Sequence, residues 1–259
     1  VEEGLRALPD DSRYLLARMT CHMAGSAVEN WAGGGDASVR HVQAAQAAAE
    51  QSGVATPLLA LKIGMNLAEA YRIAGRYPEA DAAFRDADAR LTALGRQDTE
   101  RASVLLNNWG LVLGSLGRPL DAQQMLRRSV EISSARGDAS RIEPVSWANL
   151  AVNAFDLAHY DEAVRLALRA RDGAIARKDP VVRDQALLIG ARALVASGEL
   201  ARGTAMLDEV EGHFGAMFPS THPALISTAI DRIRVYEMQG ALERALAQAE
   251  TARALAAGD

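Results

Sequence analysis

Cysteine is nearly absent. The 259 residues hold one, Cys21, so no intramolecular disulfide can form; a disulfide-stapled secreted fold is excluded, and a reducing cytoplasm is the expected setting. No apolar run approaches the roughly 18 to 20 residues that span a bilayer, because charged or glycine residues interrupt every Ala/Leu-rich segment. Basic charge is not in excess either. Lys and Arg total 28 against 33 Asp and Glu, a net charge of −5 with no long basic run, which argues against nucleic acid as a direct partner. What remains is ample for a core: 49% of residues are apolar, although only 5% are aromatic. The chain starts at Val1 with no basic-then-apolar signal segment, and the expectation is a fragment of something longer.

Motifs for metal and cofactor chemistry are also missing. No His-Glu-x-x-His or Cys-x-x-Cys spacing exists, and His22, His41, His159, His213 and His222 read as scattered over different hairpins, so neither a metal nor a cofactor is expected. Cys21 and His22 are neighbours on a helix and point about 100° apart, which reads as a packed cysteine and not a reactive pair. Gly33-Gly34-Gly35 lacks the Lys-Ser/Thr of a phosphate loop and a preceding strand, and reads as a flexible turn.

What is present is repetition. Leu67 to Ala80 reads as a helix, a glycine stop at Gly75 and a new helix start. The pattern recurs around Gly117, Ala158, Gly198 and Gly240, at intervals of 42, 41, 40 and 42, and a further step of 40 back lands on Gly35. Six helical hairpins account for the chain: 13–32 with 37–52, 57–75 with 78–95, 98–117 with 119–136, 141–158 with 160–178, 181–198 with 200–217, and 222–240 with 242–257. Pro57, Pro144, Pro180 and Pro223 fall at helix starts, where a missing N–H is tolerated. Residues 1–12 read as the end of a preceding repeat and its turn, Pro9-Asp10-Asp11-Ser12, and 13–259 as a single array. One hairpin cannot bury its apolar stripe alone, so neighbours must stack into an all-α solenoid with an extended surface.

The residues around each turn resemble the tetratricopeptide repeat (TPR) family. Ala68, Tyr71, Gly75, Tyr77, Ala80, Phe84 and Ala87 fill its signature places; Trp147, Leu150, Ala151, Tyr160, Ala163 and Ala170 do so with Ala158 at the turn, and the third hairpin keeps Gly110, Gly117, Ala122 and Leu126. The fifth and sixth are looser, with Gly203 and Ile233 at small-residue sites, and the first is nearly unrecognisable. A spacing near 41, Asn107-Asn108-Trp109-Gly110 and Pro219-Ser220-Thr221-His222-Pro223 are similar to the long-repeat, kinesin-light-chain-like subclass. The Leu105-Leu106-Asn107-Asn108-Trp109-Gly110 helix also resembles regions C-terminal to bacterial eukaryotic-type Ser/Thr kinase domains and parts of bacterial transcriptional regulators. The kinase's own glycine-rich loop, His-Arg-Asp and Asp-Phe-Gly are missing, so this chain is not expected to be an enzyme.

Asn66, Asn108 and Asn149 each lie nine residues before the turn, with Ile189 and Asp231 at the later equivalents. The resemblance places that position in the concave groove, where amides could pair with the main chain of an extended peptide; alternatively each Asn bonds a neighbouring helix. Lys62, Glu69, Arg72, Asn107, Asn153, Arg192 and Arg234 project to the same side by helical spacing, giving a groove of mixed charge. The chaperone-type clamp for a chain-terminal carboxylate does not match, because Met65 and Glu69 stand at its lysine and asparagine places. Trp109 and Trp147 read as core, and Trp31 as a further aromatic that could anchor a ligand. The function implied is a noncatalytic protein- or peptide-binding module, probed against two alternatives: a ligand-sensing domain of a transcriptional regulator, and a self-assembly scaffold.

Overall fold

The computed structural model describes residues 2–8, 11–54, 56–135, 143–219 and 222–257. Thirteen α-helices and no strand occur among them. The chain forms two compact units, Val1–Arg136 and Gly137–Asp259. The first holds α1 (Glu2–Ala7), a 3-10 turn at Ser12–Tyr14, and three hairpins: α2 (Leu15–Ala32) with α3 (Gly35–Gln51), α4 (Pro57–Ile73) with α5 (Tyr77–Ala93), and α6 (Glu100–Ser115) with α7 (Pro119–Ser134). The second holds α8 (Pro144–Asp156) with α9 (Tyr160–Arg177), α10 (Pro180–Ala196) with α11 (Leu200–Met217), and α12 (Pro223–Met238) with α13 (Leu242–Ala257). The expected hairpins are all there, with ends shifted by three residues or fewer. The helix ends expected at 136 and 141, and the turn residues 9, 10, 220 and 221, lie outside the described residues.

Each hairpin closes in the same way. The residue after the turn anchor donates its N–H to the carbonyl four residues before the anchor: Arg76 to Tyr71, Arg118 to Leu113, His159 to Ala154, Glu199 to Leu194 and Ala241 to Tyr236, at 2.8–2.9 Å. This wraps the last helical turn and requires a left-handed backbone at the anchor. In the first hairpin the bond runs from Gly34 to Glu29 at 2.7 Å, and the left-handed residue is Gly33 at φ 79°. The anchor is therefore Gly33, 42 residues before Gly75, and not Gly35. Gly35 is buried, and a Cβ there would fall 2.2 Å from the Ala74 nitrogen, so close packing of α3 on the end of α4 demands glycine. The run is not simply a flexible turn.

With Gly33 as anchor the first hairpin falls into register. Seven residues before and five after each anchor stand Ser26 and Ser38, Ala68 and Ala80, Gly110 and Ala122, Ala151 and Ala163, Ala191 and Gly203, and Ile233 and Ala245. Apart from Ile233 these are buried small residues, where the two helices cross closely. Ser26 and Ser38 share a 2.8 Å hydroxyl bond in place of the alanine contact. A Cβ on Gly110 would meet Leu126 at 2.6 Å, and one on Gly203 would meet Val195 at 2.7 Å. Larger residues fill the space between hairpins: Leu61, Phe84, Leu91 and Leu105 in the first unit, and Leu194, Leu207 and Val235 in the second. At about 25 cal/mol per Å² of apolar area removed from water, these contacts hold the stack.

Candidate functional site

Within the first unit, the leading helices of successive hairpins, α4 and α6, form one polar face. Thr56 caps α4 by accepting from the Leu59 N–H at 3.2 Å, and Thr99 caps α6 by accepting from Ala102 at 3.4 Å, which fixes where each stripe begins. Lys62, Met65, Asn66, Glu69 and Arg72 then follow at helical spacing along α4. A cleft of about 830 Å³ opens between Lys62, Met65 and Asn66 on one side and Asp98 to Arg101 and Val104 on the other. Asp98 is ion-paired with Arg128. Lys62 and Arg101 carry no ion pair among the described residues, so the uncommitted charge at this cleft is cationic.

The asparagines of this unit divide by their bonds. Asn108 is half-buried, donates to Glu69 Oε2 at 3.2 Å and accepts from Asn107 at 3.1 Å, so it joins α6 to α4. Glu69 in turn holds Arg72 through two bonds of 2.7 and 2.9 Å, and that carboxylate contact raises the arginine pKa above its ordinary value. Such half-exposed pairs contribute about 0.3–1 kcal/mol each. Asn66 differs. Its Nδ2 makes a long 3.9 Å approach to the Met23 sulfur, a weak acceptor, which leaves the amide able to serve a ligand in the cleft it lines.

In the second unit, Asn149 is half-buried on α8 and Asn153 is 4% exposed. Arg192 on α10 binds Asp231 on α12, with Nε 2.9 Å from both carboxylate oxygens, and donates through Nη2 to Ser227 at 2.9 Å. The register equals that of Glu69 and Asn108: six residues before one anchor, nine before the next. The position thus links consecutive leading helices in both units, once through a carboxylate and an amide, once through a guanidinium and a carboxylate. Arg234 is exposed and lines a smaller cavity of about 250 Å³ with Arg192 and Asp231.

Other polar clusters tie helices together. Asp81 accepts from Trp109 Nε1 at 2.7 Å and from Arg85 and Arg118, which seats Trp109 between hairpins as core. Trp147 packs beside Ala148, Ala170 and Ala186 under the Arg169 guanidinium, whereas Trp31 is 92% exposed. Asp184, fully buried, is ion-paired with Arg183 and lies 2.8 Å from His213 Nδ1. Buried Arg232 binds Asp208 and Glu211. His22 and His41 do not stand apart as their sequence positions suggest: they meet across the α2–α3 hairpin, Nδ1 to Nδ1 at 3.0 Å. Among the described residues no three His, Cys, Asp or Glu side chains converge on a metal position. No helix among them is long and apolar enough to cross a membrane.

No protein-family model matches the sequence, and comparison with curated proteins finds no match. Solved structures do match. BtubC (BKLC) from P. vanneervenii is 20% identical with a TM-score of 0.67, over 83% of this chain and 87% of that one. A Rap protein complexed with competence and sporulation factor reaches a TM-score of 0.73 at 14% identity, over 96% of this chain and 69% of that one. A signal-transduction ATPase with a tetratricopeptide repeat sensor, from Pyrococcus horikoshii, gives 0.70 at 14% identity; this chain covers 37% of it. At these identities the likeness establishes the fold: an all-α array of TPR-like helical hairpins.

Proposed function

We propose that the chain is a noncatalytic binding module that takes an extended peptide segment of a partner protein along the leading helices. The supporting observation is the α4–α6 cleft, where, among the described residues, Lys62 and Arg101 offer cations without ion pairs and Asn66 an amide with a weak internal bond. An extended strand exposes a main-chain donor and acceptor at each residue, which an asparagine amide can match, and the two cations favour acidic residues beside it. That a Rap protein with this fold was solved with competence and sporulation factor is in keeping with this use of the fold. Asn108, Glu69 and Arg72 then serve as the wall that holds α4 and α6 at their separation, with Asn107 beside them. In the second unit Asn149 holds the helix position of Asn66, and Arg192 and Arg234 that of Glu69. Asn153, one residue further along, is buried among the helices and has no place on that face.

The finer reading is a regulatory part of a larger bacterial signalling protein, such as a Ser/Thr kinase, in a reducing cytoplasm. It rests on the resemblance of the Leu105–Gly110 helix and on the single cysteine.

Peptides selected on this chain from a random display library test the binding role. The Lys62→Ala/Asn66→Ala/Arg101→Ala variant should bind them at least tenfold more weakly, with melting unchanged because Lys62 and Arg101 are exposed and the Asn66 contact with Met23 is a long 3.9 Å. Selected peptides that bind the variant as well as the parent chain would remove the cleft from the function.

A further inference from the structure

The second unit holds a site of different chemistry. Its cavity of about 250 Å³ has an apolar floor of Phe155, Val195 and Leu207, and a polar edge of Arg192, Asp231 and Arg234. Val195 and Leu207 are 4% and 1% exposed, so the floor is part of the packed core. Asp231 is already held by Arg192, which cancels one charge of each sign. Arg234 is exposed and has no ion pair among the described residues. The net charge at the edge is therefore one positive unit, beside an apolar recess. The volume lies below the roughly 300–1,000 Å³ of pockets that take drug-sized ligands, and suits a single side chain or a small acid.

We propose that this cavity is a pocket for a carboxylate attached to an apolar group. The carboxylate pairs with the Arg234 guanidinium, which offers a planar fork of N–H donors, and the apolar group seats on Phe155, Val195 and Leu207. A phosphate dianion fits worse: Asp231 stands at the same edge, and only one cationic charge is left to balance two negative ones. A carboxylate can come from a free organic acid, an acidic side chain beside an apolar one, or the end of a peptide. The inference rests on the leading helices being the working surface.

Titration calorimetry on the full chain tests it, with phenylacetate, phenylacetamide and phenyl phosphate as probes, beside acetyl-Ala-Ala-Leu and acetyl-Ala-Leu-Glu-Ala-amide. Phenylacetate or one of the acidic peptides should bind, and phenylacetamide should be at least tenfold weaker. Arg234→Gln should lower acid affinity to the amide's level, while Arg234→Lys retains part of it; circular dichroism should be unchanged, since the side chain is exposed. Tighter binding by a peptide than by phenylacetate identifies a peptide carboxylate as the ligand, and the reverse order a free acid. The Lys62→Ala/Asn66→Ala/Arg101→Ala variant should bind these probes normally, which separates this site from the α4–α6 cleft. No binding by any acid, stronger binding of phenyl phosphate, or an unaltered affinity in Arg234→Gln would overturn the proposal.

Discussion

At Ala158 a single methyl group opposes the fold. The residue occupies the turn anchor of the fourth hairpin at φ 58°, where the other five anchors are glycine. A left-handed backbone costs an L-residue roughly 1–2 kcal/mol, and the extra freedom of glycine in the unfolded chain returns part of that. Ala158→Gly should therefore raise stability by about 0.5–1 kcal/mol in urea denaturation, without altering the slope of the transition. An unchanged or lower midpoint would mean that the turn is not held by its anchor. The repeat is readable in the sequence because these anchors are glycines flanked by proline-started helices. It is misread where three glycines adjoin: Gly33, Gly34 and Gly35 are equivalent as letters, and only the backbone angle at Gly33 and the contact of Gly35 with Ala74 tell them apart.

Pairs of helices carry information that periodicity alone does not. Serines at 26 and 38 take the place of alanines because their hydroxyls satisfy each other, so a search for alanine passes over them. The His22–His41 contact depends on the relative phase of α2 and α3, which no spacing within either helix encodes. It makes the first hairpin sensitive to pH. Burial holds the His22 pKa below 6.5, and the nearby His41 and Arg18 push it the same way. The unfolded chain therefore takes up a proton at a higher pH than the folded one. The stabilising contribution is complete above pH 6.5 and is lost as the pH falls from there through the folded value. Hydrogen exchange, corrected for intrinsic rates, should show α2 and α3 opening more readily at pH 5.5 than at 7.5, with α6 and α7 unchanged and the difference abolished in His22→Gln. The same response in α6 and α7, or its persistence in the variant, would exclude the histidine pair as the cause.

At the scale of the whole chain, the hairpin architecture is plain from spacing, while the division of labour among its polar residues is not. Asn66, Asn108 and Asn149 look alike in sequence, yet Asn108 is committed to Glu69 and Asn107, whereas Asn66 lines a cleft with only a weak sulfur contact. Arg101 has no part in the repeat signature, and its place beside Lys62 follows from how α6 begins after Thr99. The separation of binding from bracing can be read directly by hydrogen–deuterium exchange on the chain, free and bound to a library-selected peptide. Peptide binding should slow exchange along α4 and the first turns of α6 while leaving α5 and α7 at their free rates. Protection confined to α5 and α7, with α4 and α6 unaffected, would contradict the assignment of the α4–α6 cleft as the working surface.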